Sequence, residues 1–331
     1  MDGHASRVLE VGASAATLGA EKPVRDTKTR LGPNDVCWCG SGRKYKKCHM
    51  AADSHATPAL EPEPKKSNAI RLDETERNAM RRACGVNAEL MDYLRDFIQP
   101  GITTKRIDEL VADWTHSRGH ICATLGYRKS YPAHCCTSPN DVVCHGVPGS
   151  YVLRDGDIIN VDLTTIVDGW HGDQSETFLV GKVSDEALRL VQCSFDSMWA
   201  AIDAIRPFSK VIEIGQAIKR HAGQYDFSVV EDYQGHGIGR QFHQRPHIPH
   251  FPDRFHGQQI LEPGVCFTIE PMINLGTKRT RVDRKDGWTV YTADGKLSAQ
   301  FEHTILMTEH GPEVLTQTKR GPRKGHRFTN A

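Results

Sequence analysis

Five side chains, Asp162, Asp173, His236, Glu270 and Glu302, can be gathered into one metal site. Each sits among Gly, Pro or β-forming neighbours, a context that fixes a ligand rather than leaving it in solvent. Four carboxylates drawn to one point repel strongly. Divalent cations are the usual remedy, and this donor count is enough for two of them. Glu270 ends the apolar run Cys266-Phe-Thr-Ile-Glu, and Glu302 lies in Gln300-Phe-Glu-His-Thr-Ile-Leu-Met307. A glutamate in such company needs a partner, either a metal or an arginine. His236 lies in Gly235-His-Gly-Ile-Gly239, whose glycines let backbone or ligand approach closely.

A second cluster stands near the N-terminus. Cys37 and Cys39, then Cys48-His49, supply three thiolates and one imidazole, a sufficient set for tetrahedral zinc. Gly40-Ser-Gly42 allows the turn between the ligand pairs. A segment this short has no core of its own, so the metal must supply its folding energy. Arg43, Lys44, Lys46 and Lys47, with Tyr45 among them, make it locally basic.

The elements that must position the five ligands are partly readable. Asp157-Ile-Ile-Asn-Val-Asp-Leu-Thr164 alternates, with Ile159, Val161 and Leu163 on one face and Asn160, Asp162 and Thr164 on the other. Asp168-Gly169 is a two-residue hairpin turn, which sets Asp173 opposite Thr164 and one diagonal step from Asp162. A one-residue slip would put the two aspartates on opposite faces. Asp73 with Glu76 is a capping box, and apolar residues from Met80 to Phe97 recur at helical spacing. Thr103/Thr104 cap a second helix through Trp114, and further helices are expected over 184–205 and 209–223. Short strands and turns dominate from Val229 to Met307.

The expected organisation is a disordered tail over 1–32, a zinc motif over 33–50, a Pro-rich linker over 51–69, a catalytic domain over 70–317 and a frayed basic tail over 318–331. With 42 basic and 41 acidic residues, global charge suggests no nucleic-acid or membrane partner. No apolar run is long enough to span a membrane, and residues 1–30 lack the apolar core of a secretory signal. Several of the ten cysteines are adjacent (Cys135, Cys136) or clustered (Cys37, Cys39, Cys48), a pattern of metal ligands, pocket liners and buried thiols rather than disulfides.

Six blocks carry a resemblance: Val143-Cys-His-Gly-Val-Pro148, Asn160-Val-Asp-Leu-Thr164, His171-Gly-Asp-Gln-Ser175, Gly235-His-Gly-Ile-Gly239, Phe267-Thr-Ile-Glu-Pro-Met272 and Ser298-Ala-Gln-Phe-Glu-His-Thr304. In order and spacing they resemble the signature blocks of type I methionine aminopeptidases over about residues 70–317. The resemblance implies an α/β (α+β) "pita-bread" fold of two pseudo-symmetric halves, with a curved antiparallel sheet and outer helices. It implies that Asp162, Asp173, His236, Glu270 and Glu302 hold two divalent ions (cobalt, manganese, iron or zinc), with Asp173 and Glu302 bridging. The ions would activate a water for hydrolysis of the first peptide bond of a nascent chain beginning with methionine, with a small second residue preferred. Glu270 would move the water's proton. His145 would contact the nitrogen after the cleaved bond, and His243 the carbonyl oxygen.

Cys136, Phe242 and Trp288 fall at methionine-pocket positions, as do Tyr127 and Tyr131, although Gly126–Tyr131 is one residue longer than the family's spacing and one tyrosine is expected to be displaced. Asn140, Val142 and Ser298 match a monovalent-cation site. Residues 33–49 resemble the SEC-C zinc motif, whose relatives dock to export chaperones and ribosomes; the basic patch on a flexible linker leads us to expect the ribosome as partner, with an export chaperone or a solvated zinc knuckle without a partner as the alternatives. The expected protein is a cytoplasmic monomer. The alternatives are an Xaa-Pro aminopeptidase and a non-enzymatic protein of the same fold.

Overall fold

The computed structural model describes residues 32–37, 39–50 and 69–330. The expected tail over 1–32 and linker over 51–69 fall almost wholly outside the described residues. The chain divides into two compact units, 1–63 and 64–331.

In the first unit, the described residues form a β-bridge between Val36 and Lys44 and a single 3-10 turn over Tyr45–Lys47. Cys37 is its one buried apolar residue among those described. Gly40 and Gly42 both take positive φ, 74° and 69°, which turns the chain back within a few residues.

The larger unit is built around a nine-stranded antiparallel sheet. Its strands are β1 (Ile121–Cys122), β2 (Cys136–Pro139), β4 (Ile158–Val167), β5 (Trp170–Leu179), β7 (Gly235–Gly237), β8 (Gln244–Ile248), β9 (Cys266–Ile269), β14 (Glu302–Thr308) and β15 (Gly311–Val314). The order is β1-β4-β5-β14-β9-β7-β8, with β2 on β4 and β15 on β14. Two three-stranded sheets flank it. One joins β13 (Ser298–Gln300), β10 (Met272–Asn274) and β6 (Ser228–Val229); the other joins β11 (Thr280–Val282), β12 (Val290–Thr292) and β3 (Val142–Cys144).

The hairpin forms in the expected register. Val167 faces Trp170 and Thr164 faces Asp173, with Asp168 and Gly169 at φ 52° and 80°, the left-handed pair a two-residue turn demands. Ile159, Val161 and Leu163 turn to one face and pack under α1 (Glu74–Leu94) and α2 (Thr104–Ser117), against Leu90, Met91, Leu94, Ile107 and Leu110. Asp73 and Glu76 close the expected capping box, and Thr103 caps α2. Gly172 is required by this packing, because a Cβ there would lie 2.5 Å from the Ala83 carbonyl oxygen on α1. The second half repeats the plan. Helices α3 (Asp185–Ala204) and α4 (Ile212–Gly223) pack Leu190, Met198, Ile214 and Ile218 against Phe267, Ile269 and Ile305 of β9 and β14. The halves join where β5 pairs with β14, through Glu302 opposite Ser175 and His303 opposite Gln174.

The segment after Thr316 is docked, not frayed. Arg320 makes a two-pronged pair with Asp96, and the Lys319 N–H donates to Asp92 at 2.7 Å. The Phe328 ring meets Phe195 edge-on and Phe301 at a tilt, and the Asn330 side chain pairs with both backbone groups of Val183. Its basic residues read as solvated in sequence; acidic groups far along the chain, Asp96, Asp196 and Asp203, hold them down. No helix among the described residues is long and apolar enough to cross a membrane.

Candidate active site

The site lies on the sheet face opposite the α1–α2 core, at the seam between the halves. Strand register explains much of it. Cys136 pairs with Asp162, Asp162 with Ser175, and Ser175 with Glu302, so one row crosses β2, β4, β5 and β14. His303 faces Ile269, so the same register carried one residue on sets Glu270 opposite Glu302. Asp173 is two residues from Ser175 and shares its face. His236 arrives on β7, whose N–H donates to the Thr268 hydroxyl at 3.1 Å. The glycines around it serve neighbouring backbone: a Cβ at Gly235 or Gly237 would lie 2.4 or 2.2 Å from the carbonyl of Thr268 or Arg245.

All five predicted ligands line one cavity of about 260 Å³. Donor atoms of Asp173, His236 and Glu302 lie within 4.8 Å of one another. His236 Nδ1–H donates to the Gly237 carbonyl at 3.1 Å, which leaves Nε2 as a bare lone pair. That lone pair faces Asp173 Oδ2 at 3.6 Å and Glu270 Oε1 at 3.7 Å. Three acceptors pointed at each other in a buried site require a cation or protons between them. Burial pushes the Asp162 carboxyl up to about 7 and Glu270 up to about 8. It pushes Asp173 and Glu302 well above the usual carboxylate range, with neighbouring carboxylates adding to the effect. Burial pushes His236 down to about 4, so the ring does not supply the missing positive charge near neutral pH. The donor set therefore fits hard or borderline divalent cations.

Surrounding hydroxyls aim the carboxylates. Thr164 donates to Asp173 Oδ1 at 2.8 Å and Thr268 to Glu270 Oε1 at 2.8 Å. The Glu270 N–H donates to Nε2 of the fully buried His250 at 3.2 Å. Thr268, His250 and Gln300, which lies 3.3 Å from Glu270, escaped the sequence reading. Only Thr268, which alternates with Glu270, carried a signal for its role.

His145 and His243 line the same cavity, with Tyr127, Tyr131, Cys136, Phe242 and Trp288. His145 has φ 54°, a left-handed position unusual for a side chain of its size, and its ring packs edge-on to Tyr233 at 5.3 Å. The His243 ring centre is 4.0 Å from that of His236, and the Tyr127 hydroxyl is 3.1 Å from His243 Nδ1. Desolvation lowers His243 to about 2 and His145 to about 4. Both tyrosines line the cavity. Tyr131 is buried, its hydroxyl 3.0 Å from the carbonyls of Cys135 and Gly146, while Tyr127 stands over His243. The longer loop accommodates both by placing Arg128 and Lys129 at φ 47° and 65°. Tyr233, Met272 and Arg128 also line the cavity and were not foreseen.

Elsewhere, the Ser298 N–H donates to the Asn140 carbonyl at 2.9 Å, and Ser298 Oγ is buried without a hydrogen-bond partner. Val142 is paired with Tyr291 on β12. In the small unit, Cys37, Cys39, Cys48 and His49 bring their donor atoms within 4.8 Å of one another. His49 Nδ1 is 3.3 Å from Cys37 Sγ and 3.2 Å from Cys48 Sγ. Hydrogen bonds from Ser41 pull the Cys39 thiol down to about 6, which favours thiolate. Three sulfurs and an imidazole suit zinc.

Comparison with known proteins shows the family. Residues 78–309 match the model of metallopeptidase family M24, and residues 34–51 match the SEC-C motif. The chain is 41% identical to a methionine aminopeptidase of Chlamydia pneumoniae, over 86% of this chain and 98% of that protein. It is 50% identical to methionine aminopeptidase A of Synechocystis, over 74% of this chain and 96% of that one. The crystal structure of methionine aminopeptidase from Rickettsia prowazekii superposes with a TM-score of 0.73 at 42% identity, covering 75% of this chain and all of that one. With a pita-bread fold, a carboxylate-rich cavity and relatives this similar across most of its length, the chain belongs to metallopeptidase family M24, among its methionine aminopeptidases.

Proposed function

We propose that this aminopeptidase removes methionine from the N-terminus of newly made chains with the help of two divalent cations, which Asp162, Asp173, His236, Glu270 and Glu302 would hold. The observation that carries the reading is the bare Nε2 of His236 facing two buried carboxylates at 3.6 and 3.7 Å. Bound cations supply a nucleophile near neutral pH and polarise the scissile carbonyl.

The chain's own residues do the rest. Glu270, aimed by Thr268, takes the proton of the attacking water and returns it to the departing amine. The Tyr127 hydroxyl lies 3.1 Å from His243 Nδ1; with Nδ1 accepting there, the proton of His243 sits on Nε2 and stabilises the carbonyl oxygen as it gains charge. His145 holds the peptide nitrogen beyond the cleaved bond, and the acids around Asp162 attract the free α-amine. Cys136, Tyr131, Phe242 and Trp288 offer soft, apolar walls to the methionine thioether. The rings of Tyr233 and Trp288 against His145 crowd the far side, which favours a small second residue.

Asn140, Val142 and Ser298 hold a monovalent cation; the unpartnered Ser298 hydroxyl supports this. The SEC-C unit binds one structural zinc and docks the enzyme to ribosomes through Arg43, Lys44, Lys46 and Lys47, in a cytoplasmic, monomeric protein. Metal-loaded enzyme is expected to cleave Met-Ala-Ser and spare an Ala-Pro peptide, with Asp173→Ala inactive. Cleavage of the proline peptide alone would refute the assignment. Salt-sensitive ribosome cosedimentation should be lost in Cys48→Ser; equal sedimentation of both proteins would end the docking proposal.

A further inference from the structure

The loop from Gly126 to Tyr131 is pinned to one conformation. The Gly126 N–H donates to the Tyr131 carbonyl at 2.8 Å, the Lys129 N–H to Gly126 at 2.8 Å, and the Tyr131 N–H to Tyr127 at 3.1 Å. Inside it, Arg128 and Lys129 both hold positive φ, a costly arrangement for side chains of this size. Its effect is to put the Arg128 side chain on the cavity wall, with the guanidinium 5.6 Å from the centre of the Tyr127 ring. Tyr127 in turn touches His243. Arg128 lines the same cavity as His145 and His243, the two histidines of the cleft.

Arg128 is unlike the other site-facing or helix-packing arginines. Arg77, Arg81 and Arg95 are each gripped by carboxylates, Glu309, Glu313 and Glu176 respectively. Among the described residues Arg128 has no carboxylate partner and packs over the face of Tyr127. The acid of the same wall, Asp232, accepts from the Thr280 hydroxyl at 2.7 Å instead. An unpaired guanidinium on the wall of a peptide cleft is a fork for a carboxylate.

We propose that Arg128 is a specificity-determining residue that reads a carboxylate on the substrate just beyond the cleaved bond, either an acidic side chain or, in a short peptide, the terminal carboxylate. The inference rests on the reading above that the cleft takes a peptide by its N-terminus, with His145 at the nitrogen after the cleaved bond. The chain continuing past His145 then runs by Arg128. The cleft is bipolar, acidic where the amine binds and basic where the product peptide leaves.

The test compares kcat/KM for Met-Ala-Asp-amide and Met-Ala-Lys-amide, and for Met-Ala-Ser as free acid and as amide, at low and high salt. The native enzyme should favour Asp over Lys by about two- to five-fold, chiefly through KM, with the ratio shrinking in salt. The free-acid arm reports the terminal carboxylate separately. Arg128→Gln should bring the Asp/Lys ratio to one, Arg128→Glu should invert it, and Arg128→Lys should retain part of it. A native ratio of one, or an unchanged ratio in Arg128→Gln, overturns the role of Arg128 and leaves methionine removal standing. Failure to cleave any of the methionyl peptides overturns both.

Discussion

The two clusters of metal-type donors in this chain are built in opposite ways. Cys37, Cys39, Cys48 and His49 come from one stretch of 13 residues, mostly exposed, held by a β-bridge, a 3-10 turn and two positive-φ glycines. The five catalytic-site donors come from five separate places between Asp162 and Glu302, brought together by a nine-stranded sheet with helices packed on it. Among the described residues the first has soft donors and no apolar core beyond Cys37; the second has mostly carboxylate oxygens inside a large apolar core. A metal can therefore be the cause of folding in one unit and a passenger of folding in the other.

The largest expected effect tests the catalytic half. Glu270→Gln should lower kcat by about 10²–10⁴-fold, while circular dichroism and melting temperature stay native or better, since a repelling buried charge is removed. Loss of folding in that variant would mean the carboxylate is structural, and the contrast would fail.

Chelation should separate the units next. Stripping metal should collapse the resonances of residues 33–50 in an NMR spectrum and leave the catalytic unit folded. Cys48→Ser should do the same without chelator, lower zinc content by one atom per chain, and leave kcat/KM on a free peptide within about two-fold, because peptide cleavage uses no group of that unit. A large fall in peptide cleavage would break the comparison from the other side.

A subtler sign separates them in the metal-stripped protein. Asp162 and Glu270 titrate at about 7 and about 8 when folded and near 4 in an unfolded chain. The folded state then binds more protons than the unfolded state across that window. Stability of the stripped catalytic unit should be full below about pH 4 with respect to these groups and decline as pH rises to about 8. Saturating divalent metal should flatten the decline. A stripped protein that gains stability from pH 5 to 8 would contradict the burial of these carboxyls.

The smallest effect concerns packing under the site. Gly172→Ala should cost about 1–3 kcal/mol of catalytic-unit stability, because its methyl meets the Ala83 carbonyl on α1. Urea titration followed by tryptophan fluorescence reads this, and an unchanged midpoint would mean α1 can yield.

Legibility in the sequence tracked the distance over which a residue acts. The hairpin register, the Asp73–Glu76 capping box and the four helices could be read because turn chemistry, capping and periodicity are local. The fold was named from six blocks in order, which is pattern resemblance rather than derivation. What escaped was contact at long range. Nothing in the sequence singles out His250 among the histidines, yet it is fully buried and accepts the Glu270 N–H from twenty residues away. The basic segment after Thr316 looked frayed because its acidic partners lie more than a hundred residues upstream.

By itself, then, the amino-acid order determined which residues could ligate a cation, which face of each strand they share, and that the cysteine cluster is self-contained; these depend on neighbours within a turn or a hairpin. Tertiary structure alone decided that Glu302 stands beside Ser175, that His236 presents a bare nitrogen to two carboxylates, and that Arg128 on the cleft wall meets Tyr127 and no carboxylate among the described residues. Those are relations between surfaces that meet only when the two halves close, and no short-range propensity encodes them.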